Sequence, residues 1–237
     1  MKTYFLRAEW NNIIIANYEV SREILLPLLP AKAELALFDG KAYVSLVGFM
    51  FLNTKIFGFS IPMHSNFEEV NFRFYIRHND NGKWKKGIVF IKEIVPKKAI
   101  SFIANNLYGE KYITLNMRHQ FENKDDNFEA SYEWNYKNRW NKISCITNKR
   151  SKPITANSME EFFADHYWGY SKGGDEKTYE YEVEHKRWDT LKVISHDIDC
   201  DFGSLYGDEF AFLNNTKPDS VLMTRGSDIK VFPKTLL

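Results

Sequence analysis

Two adjacent lysines, Lys97 and Lys98, lie where the sequence changes from a strand pattern to a helix pattern. The apolar, β-branched residues 87–95 are typical of a buried strand, and Pro96 then precedes apolar residues at helical spacing over 100–107. A helix N-terminus and a neighbouring cation both lower the pKa of a lysine. A lysine that is neutral near pH 7 is the nucleophile that imine chemistry requires. The alternative is an ordinary surface corner at which both lysines point into water.

A second group of chemically capable side chains alternates along residues 67–77. Apolar residues occupy one face, and the other carries Glu69, Asn71, Arg73, Tyr75 and Arg77. On a flat sheet this second face is solvated. In a closed barrel it points inward and forms a binding site for a small molecule. Both interpretations are open from the sequence.

Residues 178–185 alternate in the same way and place Glu180, Glu182 and Glu184 on one strand face. Carboxylates so close together repel one another unless they are solvated or face cations. We expect the cations to be Arg73, Arg118 or the lysine pair.

The composition excludes several classes of function. The 237 residues hold 32 Lys+Arg against 31 Asp+Glu, a formal charge of +1, which argues against binding to nucleic acid or to an anionic membrane. The two cysteines and six histidines lack the spacing of a metal site, and no glycine-rich phosphate loop occurs. We therefore expect no metal and no cofactor. Without a signal peptide or an apolar run of membrane-spanning length, a cytoplasmic protein is expected.

The elements that must position these side chains are mainly strands. Aromatic residues make up 16% of the chain and favour sheet. The Asp39-Gly40 pair predicts a tight hairpin, and residues 148–153 are predicted to be a basic, solvated loop. The whole pattern predicts a β-rich α+β fold, a single domain over residues 1–237, in which a mostly antiparallel, curled sheet carries three helices on its outside.

Several runs resemble a known family. They are LALFDGKAYVSLV (35–47), FEEVNFR (67–73), IVP (94–96), LYGE (107–110), YWGY (167–170) and YEYEVEH (179–185). Together they are similar to the uncharacterised YqjF-like bacterial family, a domain of unknown function that in turn resembles the acetoacetate decarboxylase superfamily. The resemblance implies a cone-shaped antiparallel β-barrel flanked by a few helices.

The same resemblance assigns roles at the lysine corner. In acetoacetate decarboxylases a Pro-Lys-Lys carries the imine-forming lysine first and its cationic neighbour second, which implies Lys97 as nucleophile and Lys98 as the group that lowers its pKa. Two features of those enzymes are missing here. No acid precedes Ile61-Pro62, and Asn11-Asn12 stands where the enzymes have an arginine.

Two functional hypotheses follow. The first is a non-catalytic barrel, or one with unassigned chemistry, that binds a small organic ligand such as a carbonyl compound or a carboxylate; a homo-oligomer is compatible with it. The alternative is a lyase with a lysine Schiff base: a decarboxylase, aldolase or dehydratase acting on a small keto acid or aldehyde. In the alternative Lys97 and Lys98 carry the imine, Arg73 or Arg118 binds an acidic group with Asn71 and Tyr75 beside it, and Glu69 or Glu182 is the acid or base.

Overall fold

The computed structural model describes residues 2–174 and 176–237. Within them the strands β1 to β15 are, in chain order, Leu6–Val20, Ala33–Leu35, Ala42–Ile56, Phe59–Ser60, Phe67–Asp80, Lys83–Val95, Tyr112–Thr114, Asn116–Lys124, Asn127–Tyr136, Arg139–Pro153, Trp168–Lys172, Thr178–His185, Asp189–Asp199, Ser220–Val231 and Thr235–Leu236. The helices α1 to α4 are Arg22–Leu25, Lys98–Tyr108, Met159–Ala164 and Phe202–Tyr206, and two 3-10 helices cover Leu26–Leu28 and Asp208–Asn215.

Seven of the strands close into a ring. Following the hydrogen-bonded neighbours gives the order β12-β11-β6-β5-β3-β1-β14, and β14 pairs back onto β12 through Val183 opposite Val231. Most of these contacts are antiparallel, but β6 runs parallel to β11 and to the short β7. The ring therefore is a small barrel with an inside and an outside.

A second layer covers the outside of this barrel. Beyond β14 the sheet continues through β13, β10, β9 and β8, and this extension packs against the barrel's outer face. The contact is close at Gly48 of β3, where a Cβ atom would lie 2.8 Å from Cδ2 of Tyr132 on β9. Phe72 of β5 meets the rings of Tyr206 and Phe210 at 4.5 and 5.1 Å. This interface forms the larger hydrophobic core.

The two-sided burial of β5 follows from its sequence. Its apolar residues, Val70, Phe72, Phe74 and Ile76, belong to the outer core. Because side chains alternate along a strand, the polar residues between them are directed to the inside of the barrel. The barrel interpretation holds for Glu69, Asn71 and Arg73, whereas Arg77 at the end of the face is exposed and pairs with Glu34 at 2.8 Å.

The structure confirms the predicted β-rich, curled and mostly antiparallel architecture with few helices, and differs from the sequence prediction in detail. The described residues form four α-helices where three were expected. Residues 148–153 are not a loop, because Ser151 to Pro153 pair with β13. Gly226 to Asp228 pair with β1 as part of the continuous strand β14. Among the described residues, no helix has the length and apolar character needed to cross a membrane.

Candidate functional site

The inside of the barrel contains a cavity of about 140 Å³. For comparison, an apolar protein cavity of about 150 Å³ accommodates benzene. Its walls are largely aromatic and include Trp10, Phe49, Phe51, Phe67, Phe90, Trp168 and Trp188. Polar side chains interrupt these walls at a few points, which is the composition expected of a small-molecule site.

Strand β5 supplies three of the polar groups: Glu69, Asn71 and Arg73 all line the cavity. Glu69 and Asn71 are 2% and 1% exposed. The Asn71 Nδ2 group donates to Glu69 Oε1 over 3.1 Å, and the Tyr112 hydroxyl donates to Glu69 Oε2 over 2.9 Å. The alternation of a single strand thus places an acid, an amide and a guanidinium in a row, with about 7 Å between successive residues.

Two further carboxyl groups face the same space. Glu93 on β6 lies directly across the ladder from Asn71 and is 1% exposed. Glu110, in the turn after α2, lines the cavity and hydrogen-bonds to Tyr181 of β12. Glu110 as a whole residue is partly exposed, yet its Oε1 atom is shielded from solvent. Three acids from three different elements therefore meet at one end of the cavity.

Burial makes these carboxyl groups weaker acids than exposed carboxyl groups. It raises the pKa of Glu69 from 4.5 to about 7, against the opposing effects of Asn71, Tyr112 and the Arg73 charge. Burial likewise raises the pKa of Glu110 to about 8. The pKa of Glu93 is raised well above its usual value, first by burial and then by the Glu110 and Glu69 charges. Near pH 7 the acidic end consequently holds protons that it can donate or release.

His166 lines the other end of the cavity, just after α3. Its Nε2 atom lies 2.6 Å from the Phe162 carbonyl oxygen, which only accepts, so Nε2 carries the hydrogen. Burial and the Arg73 charge lower the pKa of His166 to about 3, so the ring is neutral. Its Nδ1 atom is a buried acceptor without a hydrogen-bond partner among the described residues.

Arg73 is the cation at this end. One guanidinium nitrogen donates to the Phe163 carbonyl oxygen over 3.1 Å, and the guanidinium carbon lies 5.7 Å from the Tyr75 ring centroid. The Arg73 Nε atom is buried and has no hydrogen-bond partner in the described part of the chain. These contacts fix the guanidinium while leaving hydrogen-bonding capacity toward the cavity.

Three of the residues expected at the site lie elsewhere. Tyr75 is not in the cavity wall, because it is covered by α3 and supports His166, its ring centroid being 4.9 Å from the imidazole. Arg118 lies on β8 in the second layer and pairs with Glu133 at 2.6 Å. Glu182 points away from the cavity and pairs with Lys2, because the neighbouring Tyr181 and Val183 take the inward positions.

The other glutamates of β12 also have partners that differ from the expected ones. Glu180 pairs with Lys85 at 2.9 Å and Glu184 with Lys230 at 2.7 Å. The expectation that Arg73, Arg118 or the lysine pair neutralises this face is therefore wrong. The face is on the outside of the barrel, where lysines of neighbouring elements reach it.

The lysine corner lies next to the site. Lys97 is the N-cap residue of α2, and its carbonyl oxygen accepts from the Ile100 and Ser101 N–H groups at 3.1 and 3.2 Å. Lys97 is half-buried and Lys98 is exposed, and neither is among the residues of the cavity wall. Pro96 precedes the N-cap, and the helix begins at Lys98.

Sequence reasoning missed Glu93, Glu110, Tyr112, Tyr181 and His166 as site residues. The sequence signal for Glu93 was an acidic residue within an apolar strand, because charged side chains are rarely fully buried unless they are paired. Tyr181 was detectable from the alternation that put the neighbouring glutamates on the opposite face. Glu110 and His166 lie outside any regular pattern, and only the closed ring brings them to the cavity.

Among the described residues, no group of His, Cys, Asp and Glu is arranged to hold a metal ion. The site is an aromatic cavity with a guanidinium and a neutral imidazole at one end and three weakly acidic carboxyls at the other.

Comparison with known proteins agrees with this architecture. The chain is 26% identical over 188 residues to the "Uncharacterized protein YqjF" of Bacillus subtilis (strain 168), which covers 78% of this chain and 74% of that protein. Acetoacetate decarboxylase from Legionella pneumophila superposes with a TM-score of 0.65 at 13% identity, over 100% of this chain and 90% of that chain. The enduracididine biosynthesis enzyme MppR complexed with pyruvate gives a TM-score of 0.65 at 12% identity, with coverage of 100% and 91%.

At such identities the structural likeness establishes the fold, and it agrees with the YqjF-like resemblance of the sequence. Residues 7–228 match the DUF2071 family, described as "Uncharacterized conserved protein (COG2071)". The chain belongs to the DUF2071 family and has an acetoacetate decarboxylase-like fold.

Proposed function

We propose that this protein binds a small organic ligand inside its barrel, with an acidic or carbonyl group of the ligand on Arg73. The observation that carries the proposal is a cavity of about 140 Å³ in which several buried polar atoms have no partner among the described residues: Asn71 Oδ1, Arg73 Nε, Glu93 Oε2 and His166 Nδ1. Each unpaired buried polar group costs roughly 1–3 kcal/mol. A ligand that pairs with them recovers part of this cost.

Arg73 selects the charge of the ligand at its end of the cavity. Its guanidinium suits a carboxylate, because it presents several donors in one plane. The neutral His166 adds an acceptor for a hydroxyl or an N–H group of the same ligand. The aromatic walls exclude water and strengthen both interactions.

The proposal is tested by calorimetric titration with pyruvate and acetoacetate. The key variant is Arg73→Gln, and the matched control is Arg118→Gln, which removes an arginine paired with Glu133 in the second layer. We expect Arg73→Gln to weaken binding at least tenfold and Arg118→Gln to leave it unchanged. Equal binding by both variants, or no binding of any small carbonyl or carboxylate compound, would refute the proposal.

The second candidate function is a lyase that forms a Schiff base on Lys97. Two observations favour it: the Pro96-Lys97-Lys98 corner leaves the same strand as Glu93, and a structural neighbour was captured with pyruvate. In this reaction the Lys97 amine attacks the carbonyl carbon, the C–N bond forms, and the carbonyl oxygen leaves as water. Lys98 is the adjacent cation, and Glu69 is the acid or base.

Borohydride trapping tests the second function directly. The protein is mixed with pyruvate or acetoacetate from neutral to alkaline pH, reduced, digested and analysed by mass spectrometry. The lyase requires an adduct on Lys97 that is lost in Lys97→Ala and retained in Lys55→Ala, which removes an exposed lysine. The absence of an adduct on Lys97 with any small carbonyl compound would refute the Schiff-base lyase.

A further inference from the structure

The acidic end of the cavity has more carboxyl groups than Arg73 can balance. Glu69 comes from β5, Glu93 from β6 and Glu110 from the turn after α2, and all three line the cavity. Arg73 and His166 lie together at the end near α3. Apart from Arg73, the positive charges that act on the acidic groups are those of Lys111 and Lys234, which lower the pKa of Glu110.

Three acceptor atoms at this end are shielded and unpaired. They are Asn71 Oδ1, Glu93 Oε2 and Glu110 Oε1, for which the described residues provide no hydrogen-bond donor. Asn71 and Glu93 are each 1% exposed and face one another across the β5–β6 ladder. Buried acceptors of this kind mark a position where a donor from outside the chain fits.

An ammonium group meets this requirement in number and in charge. It has three N–H donors and no acceptor, and three unpaired oxygens are present. Its positive charge stabilises the ionised form of the carboxyl groups, and the aromatic walls, including Phe67 and Tyr112, favour a cation over a neutral group. A carbonyl or a carboxylate alone leaves these acceptors unpaired.

We propose that the ligand of this cavity carries an amino group, held as an ammonium by Glu93, Glu110 and Asn71, in addition to the acidic group on Arg73. The ligand class is therefore a small amino carboxylate whose two charged groups are separated by a short carbon chain. This inference rests on the proposed binding function and specifies its ligand. Asn71 and Arg73 are two residues apart on one strand, a spacing of about 7 Å that a chain of a few carbons spans.

Binding of such a ligand releases protons. At neutral pH the empty acidic end is partly protonated, and an ammonium favours the ionised carboxylates. The titratable groups around the amine are Glu69, Glu93, Glu110, Tyr112 and Tyr181, and the positive charges of Lys111 and Lys234 act on Glu110. A ligand with no amine has no such effect, so proton release distinguishes the two classes.

The test compares three probes with the same carbon skeleton: butanoate, butylamine and 4-aminobutanoate. Each is titrated into the full chain by calorimetry at pH 7 in phosphate and in Tris, because the difference in heat between the two buffers counts the protons released. We expect 4-aminobutanoate to bind at least tenfold more tightly than either single-function probe and to release protons. Butanoate is expected to bind weakly without proton release.

Variants locate the effect at the acidic end. Glu93→Gln is expected to abolish most of the proton release and most of the higher affinity for 4-aminobutanoate over butanoate. Glu110→Gln provides the same readout if the first variant does not fold. Glu184→Gln, which changes an exposed glutamate paired with Lys230, is the matched control.

The outcomes separate this inference from the proposed function. Equal affinity for butanoate and 4-aminobutanoate, with no proton release and with loss of binding in Arg73→Gln, would overturn the amino-group inference while retaining the proposed function. Failure of 4-aminobutanoate, butanoate, pyruvate and acetoacetate to bind would overturn both.

Discussion

Replacing Glu69 with glutamine should flatten the dependence of the protein's stability on pH. In the folded chain the pKa of Glu69 is raised from 4.5 to about 7, mainly by burial. A carboxyl whose folded pKa is raised contributes fully to stability below pH 4.5, and the contribution is lost as the pH rises through about 7. The Glu69→Gln side chain cannot ionise, so this loss disappears.

The size of the effect follows from the two pKa values. Each pKa unit corresponds to about 1.4 kcal/mol, so raising the pKa from 4.5 to about 7 lowers the free energy of unfolding by roughly 3 kcal/mol above pH 7. Glu69→Gln also removes a charge that raises the pKa values of Glu93 and Glu110, which flattens the profile further. Disturbing the hydrogen bond from Tyr112 adds a cost that does not depend on pH in this range.

The assay is urea unfolding of the parent chain, Glu69→Gln and the control Glu184→Gln at pH 5, 6, 7 and 8. We expect the free energy of unfolding of Glu69→Gln, relative to the parent, to increase by about 2.5 kcal/mol from pH 5 to pH 8. Glu184 is exposed, so its variant should parallel the parent. Parallel profiles for Glu69→Gln and the parent would show that the carboxyl titrates as if it were in water.

The remaining predictions concern packing, protonation and capping. In Gly169→Ala the new Cβ would lie 2.2 Å from Cζ of Tyr181, so we expect a loss of roughly 1–3 kcal/mol in urea unfolding, and unchanged stability would contradict the close packing. The folded pKa of His166 is lowered to about 3, so its contribution to stability is present above pH 6.5 and is lost as the pH falls. The free energy of unfolding of the parent should therefore fall by roughly 2 kcal/mol between pH 6.5 and 5, and His166→Phe should not show this fall. A variant that keeps the acid sensitivity of the parent would disprove the lowered pKa of His166. Ser158 accepts a hydrogen bond from the Glu161 N–H group over 3.2 Å at the start of α3. Ser158→Ala should cost about 1 kcal/mol, measured as a lower Tm, and an unchanged Tm would exclude the cap.

Much of the barrel was predictable from local patterns. The Asp39-Gly40 turn forms with positive φ angles of 47° and 78°, as its sequence indicated. The alternation in residues 67–77 correctly separated Val70 and Phe72 from Glu69 and Asn71. Which of these faces points inward depends on ring closure between β12 and β14, a contact of distant segments that no local pattern encodes.

The site was predictable only in part for the same reason. Glu69, Asn71 and Arg73 share one strand, so their periodicity brought them together in the sequence prediction. Arg118 had an equally suggestive alternation, but its strand belongs to the second layer, where Glu133 pairs with it. Glu110 reaches the cavity from an irregular turn, so its role depends entirely on tertiary packing.

The most direct measurement of the central claim is a crystal structure of the protein soaked with 4-aminobutanoate. If the barrel binds this ligand, we expect electron density for it inside the cavity. The carboxylate should then lie within about 3 Å of the Arg73 guanidinium and the amine at a similar distance from Glu93. A cavity filled by its own aromatic side chains, with the compound bound elsewhere or not at all, would contradict it.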